Sequence, residues 1–307
     1  MGVLLGIIGP VFALIGMGAL AVRLKWLDMA AIKGMSDFVF YAAMPGLLFV
    51  SIAGAPPLRL ADVAASFLLG ALLLFALAVF LARKFLAASL AGAGVFALNA
   101  VFGNTVMLGI PIVDAAYGRE GVANLLAVIA FHSAFLLPLA TILIEAEAGS
   151  GRTVAGVLRT ALPGIVSNPV IATMVLALAW RMTGWLIPAP AERLFTLLGA
   201  AGPPLALFCL GASLPRPAGW LDLREVVLGG ALKLFALPAL VAALAHAASV
   251  TGVAFKVVVL ASAMPTGANA FLLARRYETM AAASATTVVA STALSILTLS
   301  VLLSWLG

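Results

Sequence analysis

Charge is what this sequence has least of. Only 9% of its 307 residues are Asp, Glu, Lys or Arg, where a soluble globular domain carries about 25%. With 64% of residues hydrophobic, too few polar side chains remain to cover a surface in water, so most of the chain must be solvated by lipid. No polar stretch is long enough for a second, soluble domain. Cysteine is almost missing: Cys209 stands alone and cannot form an intrachain disulfide. The two histidines, His132 and His246, lie on different apolar runs with no Cys or carboxylate cluster, so neither metal nor cofactor is expected. H-E-x-x-H, a paired-aspartate motif for prenyl diphosphates and G-x-S-x-G are absent. Ser213, in Gly211-Ala212-Ser213-Leu214-Pro215, lacks both a closing glycine and an evident base, so an enzyme is not expected. The formal charge of +6 could suggest nucleic acid, but the basic residues sit in twos and threes between apolar runs, as in Arg83-Lys84 and Arg275-Arg276. A nucleic-acid binder gathers them on one face.

What the chain has is long apolar runs. A span needs about 20 apolar residues to cross the hydrocarbon core. Such runs fall near 3–22, 35–54, 63–82, 94–117 and 121–145, then near 162–181, 194–214, 225–246, 254–274 and 280–306. Lipid admits only helices or closed barrels, and runs this continuous are helices. The first has no basic segment before it and Arg23 and Lys25 after it, so it reads as a mature span rather than a signal peptide.

Connections after the odd spans carry Arg23, Lys25, Lys33, Arg83, Lys84, Arg152, Arg159, Arg216, Arg224, Arg275 and Arg276. The other side carries only Arg59, Arg119, Arg181, Arg193 and Lys256. The positive-inside rule then places both termini outside the cytoplasm, in a bacterial inner membrane. The halves also resemble each other. At an offset of 159 residues, Pro10, Val11 and Ala13 fall on Pro169, Val170 and Ala172, and Pro45, Leu48, Phe49 and Ala53 on Pro204, Leu207, Phe208 and Ala212. Five spans per repeat force opposite orientations, an inverted repeat. The expected division is residues 1–145, a cytoplasmic linker at 146–161, and residues 162–307.

Two spans carry helix breakers. One reads Gly103-Asn104-Thr105-Val106-Met107-Leu108-Gly109-Ile110-Pro111, the other Ser262-Ala263-Met264-Pro265-Thr266-Gly267-Ala268-Asn269. They are the fourth and ninth spans, equivalent members of the repeats, and paired interrupted helices point to a transporter's binding site. Unwinding is expected near Gly109–Pro111 and Pro265–Asn269. The second half of each broken helix would aim free N–H groups and about half a positive charge at the break. Asn104 and Asn269 add neutral donors, and the set suits a carboxylate. Simple kinks satisfied by neighbouring helices are the alternative.

Other polar residues fall inside apolar runs. His132, about mid-depth in the fifth span, is either a neutral histidine bonding between helices or a proton carrier. Lys233 can snorkel, pair with a carboxylate or offer charge to an anion. Ser51, Thr286 and Thr287 can line a cavity or bond back to their own helices. A secondary transporter accounts for spans, repeats and paired breaks. An anion channel or uncoupled facilitator is the alternative, although no symmetric pore-lining set is visible. A membrane enzyme comes last.

At the breaks the sequence resembles the auxin efflux carrier family, which includes plant auxin carriers and bacterial organic-acid transporters. Asn104 to Pro111, followed by Ala116-Tyr117-Gly118, is similar to the plant fourth-helix motif. Met264-Pro265-Thr266-Gly267-Ala268-Asn269-Ala270 is similar to the bacterial ninth-helix motif, and Pro45 to Ala53 matches the second helix. The resemblance covers essentially the whole chain. It implies ten helices, with a scaffold of helices 1, 2, 6 and 7 beside a transport domain of helices 3–5 and 8–10. Substrate would sit where helices 4 and 9 cross, with Asn104 and Pro111 as site residues; Gly109, Ile110, Pro265, Thr266, Gly267, Asn269 and Ser51 complete the candidates. His132 takes the place of a plant glutamine in a polar region near Asp62, which makes His132, Asp62 and Lys233 the coupling candidates. Ala270 departs from the plant proline, so a small mono- or dicarboxylate such as malonate or malate is expected rather than an indole auxin. Partners are then a small organic anion and the bilayer, with a homodimer through the scaffold helices left open.

Overall fold

An apolar chain in lipid must satisfy its backbone internally, and helix does so over most of the described residues. The computed structural model describes residues 4–53, 60–147, 169–214 and 223–307. Among them the helices are α1 Gly9–Arg23, α2 Met29–Phe38, α3 Met44–Ala53, α4 Leu60–Phe85, α5 Leu90–Val101, α6 Ile110–Glu147 and α7 Pro169–Met182. They continue with α8 Ala189–Ser213, α9 Leu223–Ala231, α10 Leu237–Ala247, α11 Gly252–Ser262, α12 Ala268–Arg276 and α13 Ala281–Leu306. The only β pairing among the described residues is an isolated antiparallel bridge between Gly103 and Thr266. Among the described residues seven helical stretches are long and apolar enough to cross a bilayer; α5, α7 and α11 are shorter apolar helices. The expected linker at 146–161 lies almost wholly outside the described residues. On α4, Leu69, Leu73, Leu77 and Phe80 are exposed at spacings of four, four and three. That is one helix face, and its natural solvent is hydrocarbon.

Prolines explain where the helices widen. The π-type turns Leu4–Ile8, Val39–Ala43, Thr105–Gly109 and Leu232–Ala236 each end two residues before a proline: Pro10, Pro45, Pro111 and Pro238. A proline ring clashes with the carbonyl four residues back and offers no N–H. A wider turn moves that carbonyl aside and keeps the helix going. Gly118 is the one non-helical residue inside α6, with φ 59° and ψ −154°, a conformation essentially reserved for glycine. It divides the expected fourth and fifth spans.

The chain forms two contact units. The first comprises Met1–Arg59, Val106–Leu126 and Val166–Leu214. Within it α1 and α3 pack on α8, and α3 on α7. A Cβ added to Gly18 would overlap the Phe208 carbonyl oxygen, and one added to Gly211 would overlap the Ile15 carbonyl oxygen. Helices in lipid associate by close packing and not by a hydrophobic drive, which favours such small residues. The second unit comprises Leu60–Thr105, Ala127–Ile165 and Pro215–Gly307. There α4 packs on α5 and α10, α10 on α11, and α13 on α9 and α12.

Candidate functional site

The site builds from two places in the second unit where the helix stops. After α5 the chain is extended through Phe102, whose φ is −82° and ψ 103°; after α11 it is interrupted until Gly267 begins α12. The two segments pair antiparallel. Asn104 N–H donates to the Pro265 carbonyl and Gly267 N–H to the Phe102 carbonyl, both at 2.8 Å. Glycine suits position 267, because a Cβ there would lie 3.1 Å from both the Gly103 oxygen and the Phe102 ring.

Side chains close the rest of the backbone. His132 Nε2 accepts the Gly103 N–H at 3.0 Å, and the Ser291 hydroxyl accepts the Thr266 N–H at 3.1 Å. His132 and Ser291 stand at the same 159-residue offset that relates the proline motifs, and each accepts a backbone N–H of one break. The Thr266 hydroxyl donates to the Asn99 carbonyl at 2.8 Å, and the Ser284 hydroxyl to Asn99 Oδ1 at 2.8 Å. Lys233 Nζ donates to the Ser262 carbonyl at 2.6 Å. The Phe102 ring stacks on His132 at 3.9 Å between centroids, and Phe67 meets it edge-on. Asn99, Asn104, His132, Lys233, Ser262, Thr266, Ser284 and Ser291 are all buried. A buried polar group is costly unless bonded, so this network fixes the geometry of the breaks.

The structure thus brings Asn104, Pro265, Thr266 and Gly267 together, with His132 and Lys233 beside them. Three expectations change. The first break falls at Phe102–Asn104 and not at Gly109–Pro111. Gly109, Ile110 and Pro111 are helical, because the π turn at Thr105–Gly109 absorbs the proline; they belong to the first unit. The central N–H groups of both breaks are spent on the bridge, His132 and Ser291. Those N–H groups are therefore not free donors, whereas no side-chain cap closes the first turn of α12. Ser51, also in the first unit, donates to its own helix at the Leu47 carbonyl, 2.7 Å away. Asn269 is exposed in the first turn of α12. Asp62 lies in the first turn of α4, where a carboxylate favours the helix N-terminus. Sequence reasoning quoted Ser262 only as part of the second break motif and passed over Asn99, Ser284 and Ser291. Small polar residues recurring in an otherwise apolar α13 were the available signal. His132 acts as an acceptor at Nε2, and its Nδ1 has no hydrogen-bond partner among the described residues.

A family model described as membrane transport protein matches residues 4–303. The protein named "Putative malonate transporter" from Rhizobium meliloti is 25% identical over 97% of this chain and 94% of its own. Auxin efflux carrier component 8 of Arabidopsis thaliana is 22% identical over 88% of each chain. The uncharacterized transporter YfdV of Escherichia coli is 25% identical over 88% of this chain and 87% of its own. The family and these relatives are transporters, not enzymes.

Proposed function

The chain belongs to the membrane transport protein family, and from that premise we propose that it is a secondary transporter moving a small carboxylate by alternating access. The observation that carries this reading is the pair of bridged helix breaks, buried in an apolar chain and bordered by Asn104 and the uncapped N-terminus of α12. Anions favour such a terminus. One relative's name supports malonate as the first substrate to try. Ten spans in two inverted repeats fit the described helices when α5 joins the Thr105 segment and α11 joins α12. The equivalent acceptors His132 and Ser291 support the repeat. So does the pairing of helices, since α1 packs on α8 as α7 packs on α3. The first unit holds the helices assigned to the scaffold and the second most of those assigned to transport, although Val106–Leu126 groups with the first.

Purified protein in proteoliposomes is expected to take up radiolabelled malonate saturably, with malate and succinate competing. Flux that rises linearly with concentration would indicate a channel instead, and no flux with any carboxylate would end this reading. Asn104→Ala and Asn269→Ala should each weaken binding about ten- to a hundredfold, the loss of one hydrogen bond to a charged ligand at about 1.5–3 kcal/mol. Neither should abolish it, since backbone N–H groups share the charge. The charge bias of the connections further supports a topology with both termini outside the cytoplasm. Reporter fusions active only in the periplasm at either end are the expected outcome, and a cytoplasmic signal from either terminus refutes that topology.

A further inference from the structure

The two breaks are alike in their hydrogen bonds but not in charge. Gly103 and Thr266, the bridged pair, are 163 residues apart, and the same offset sets Asn99 against Ser262. Each of those residues offers a carbonyl at the end of a helix that stops in the membrane. Asn99 is closed by the neutral Thr266 hydroxyl. Ser262, the last residue of α11, is closed by the Lys233 side-chain nitrogen. Lys233 is wholly buried, at 0% exposure, on the π turn that precedes Pro238. Among the described residues no carboxylate lies within ion-pair distance of it. A Cβ on Gly103 would lie 3.5 Å from its Nζ, so this nitrogen sits against the extended strand of the other break. The first repeat has only Gly70, Ala71, Leu72, Leu73 and Leu74 at the corresponding positions.

A helix C-terminus carries about half a negative charge and the next N-terminus about half a positive one. At an ordinary break the two nearly cancel. Here the Lys233 nitrogen covers the negative end of α11. The N-terminus of α12 begins at Gly267 with no side-chain cap, so the positive end stays open. We propose that Lys233 sets the sign of the ligand: by neutralising the end of α11 it leaves the break electropositive, and the site accepts anions. Lys233 touches Ser262 and not the substrate, so it is a positioning residue that acts through helix charge. This rests on the reading of the breaks as the ligand site.

Two substitutions test it. Lys233→Met keeps the apolar stem and removes the charge, and should raise the dissociation constant for malonate about tenfold or more. Lys233→Ala removes the stem as well and leaves room for n-propylammonium, the missing part of the side chain. Propylammonium chloride should restore both the melting temperature and malonate binding of Lys233→Ala, while 1-propanol, similar in shape but neutral, should not. Wild-type protein should respond to neither. Malonate binding by folded Lys233→Met at the wild-type level overturns the proposal. So does equal rescue by propanol, or rescue by neither additive. If Lys233→Met is not recovered folded, the Lys233→Ala pair decides alone. If wild-type protein binds no carboxylate, the transport reading fails, while the melting temperatures of Lys233→Ala still judge the charge at Ser262.

Discussion

Gly211→Val is expected to leave no folded protein in detergent, and Gly18→Val the same. α1 and α8 touch through their backbones: Gly211 faces the Ile15 carbonyl and Gly18 the Phe208 carbonyl, with no room for even a methyl group at either point. A new side chain at a helix surface displaces a flexible neighbour at small cost, but a backbone carbonyl cannot give way without separating the helices. Both contacts lie on the same helix pair, so parting them at one opens the other and forfeits packing along the whole interface. In hydrocarbon nothing compensates, since lipid tails are as apolar as the helices and association depends on close fit. Gly16 is the control. It lies on the same helix, and a Cβ placed there would meet nothing within 4 Å, so Gly16→Val should melt within a few degrees of wild type. Fluorescence-detected size exclusion and a thermal ramp read all three. A monodisperse Gly211→Val with a wild-type melting temperature would mean that the helices do not cross as described.

How much of this was legible beforehand differs from element to element. The helices were, because apolar runs near the length of a bilayer leave the backbone no other way to satisfy itself. The second break was legible too: Pro265, Thr266 and Gly267 crowd breakers into three residues, and the chain stops being helical there. The first break was misplaced because Pro111 is the more conspicuous breaker. A proline is decisive only where the helix cannot widen, and the turn at Thr105–Gly109 widens. Gly103, with no proline beside it, gave a weaker local signal. It is extended because Gly267 and Pro265 supply partners from far along the chain. The same distance hid Asn99, which meets Ser284 across 185 residues; no spacing rule reaches that far. The repeat offset could have helped, since it pairs His132 with Ser291 and so marks the two side chains that receive the N–H groups of the breaks. Lys233 was visible as an intramembrane charge. Which of its three sequence-level readings applied depended on what faced it, and what faces it is a helix end.

His132→Leu should lower the melting temperature by about 2–5 °C, and His132→Gln by much less. The Gly103 N–H lies in the extended stretch between α5 and the Thr105 segment, where no helical carbonyl is available to it. His132 Nε2 is its acceptor, 3.0 Å away and buried between the rings of Phe102 and Phe67. Leucine fills similar space but accepts nothing, and a buried donor left unsatisfied costs about 1–3 kcal/mol. In a chain of this size each kcal/mol shifts the transition by about 1.5 °C. Glutamine reaches the same place with an amide oxygen, so the bond can be remade. Ser291→Ala repeats the experiment at the equivalent Thr266 N–H and should cost a similar amount. The glutamine variant also separates the two roles weighed for this histidine. Accepting the Gly103 N–H requires Nε2 without a proton, so a residue devoted to that bond needs no titration. Uptake by His132→Gln should then follow the wild-type pH profile. A flattened profile with the melting temperature intact would assign His132 a transported proton, and equal stability of the leucine and glutamine variants would remove the hydrogen bond from the account of the break.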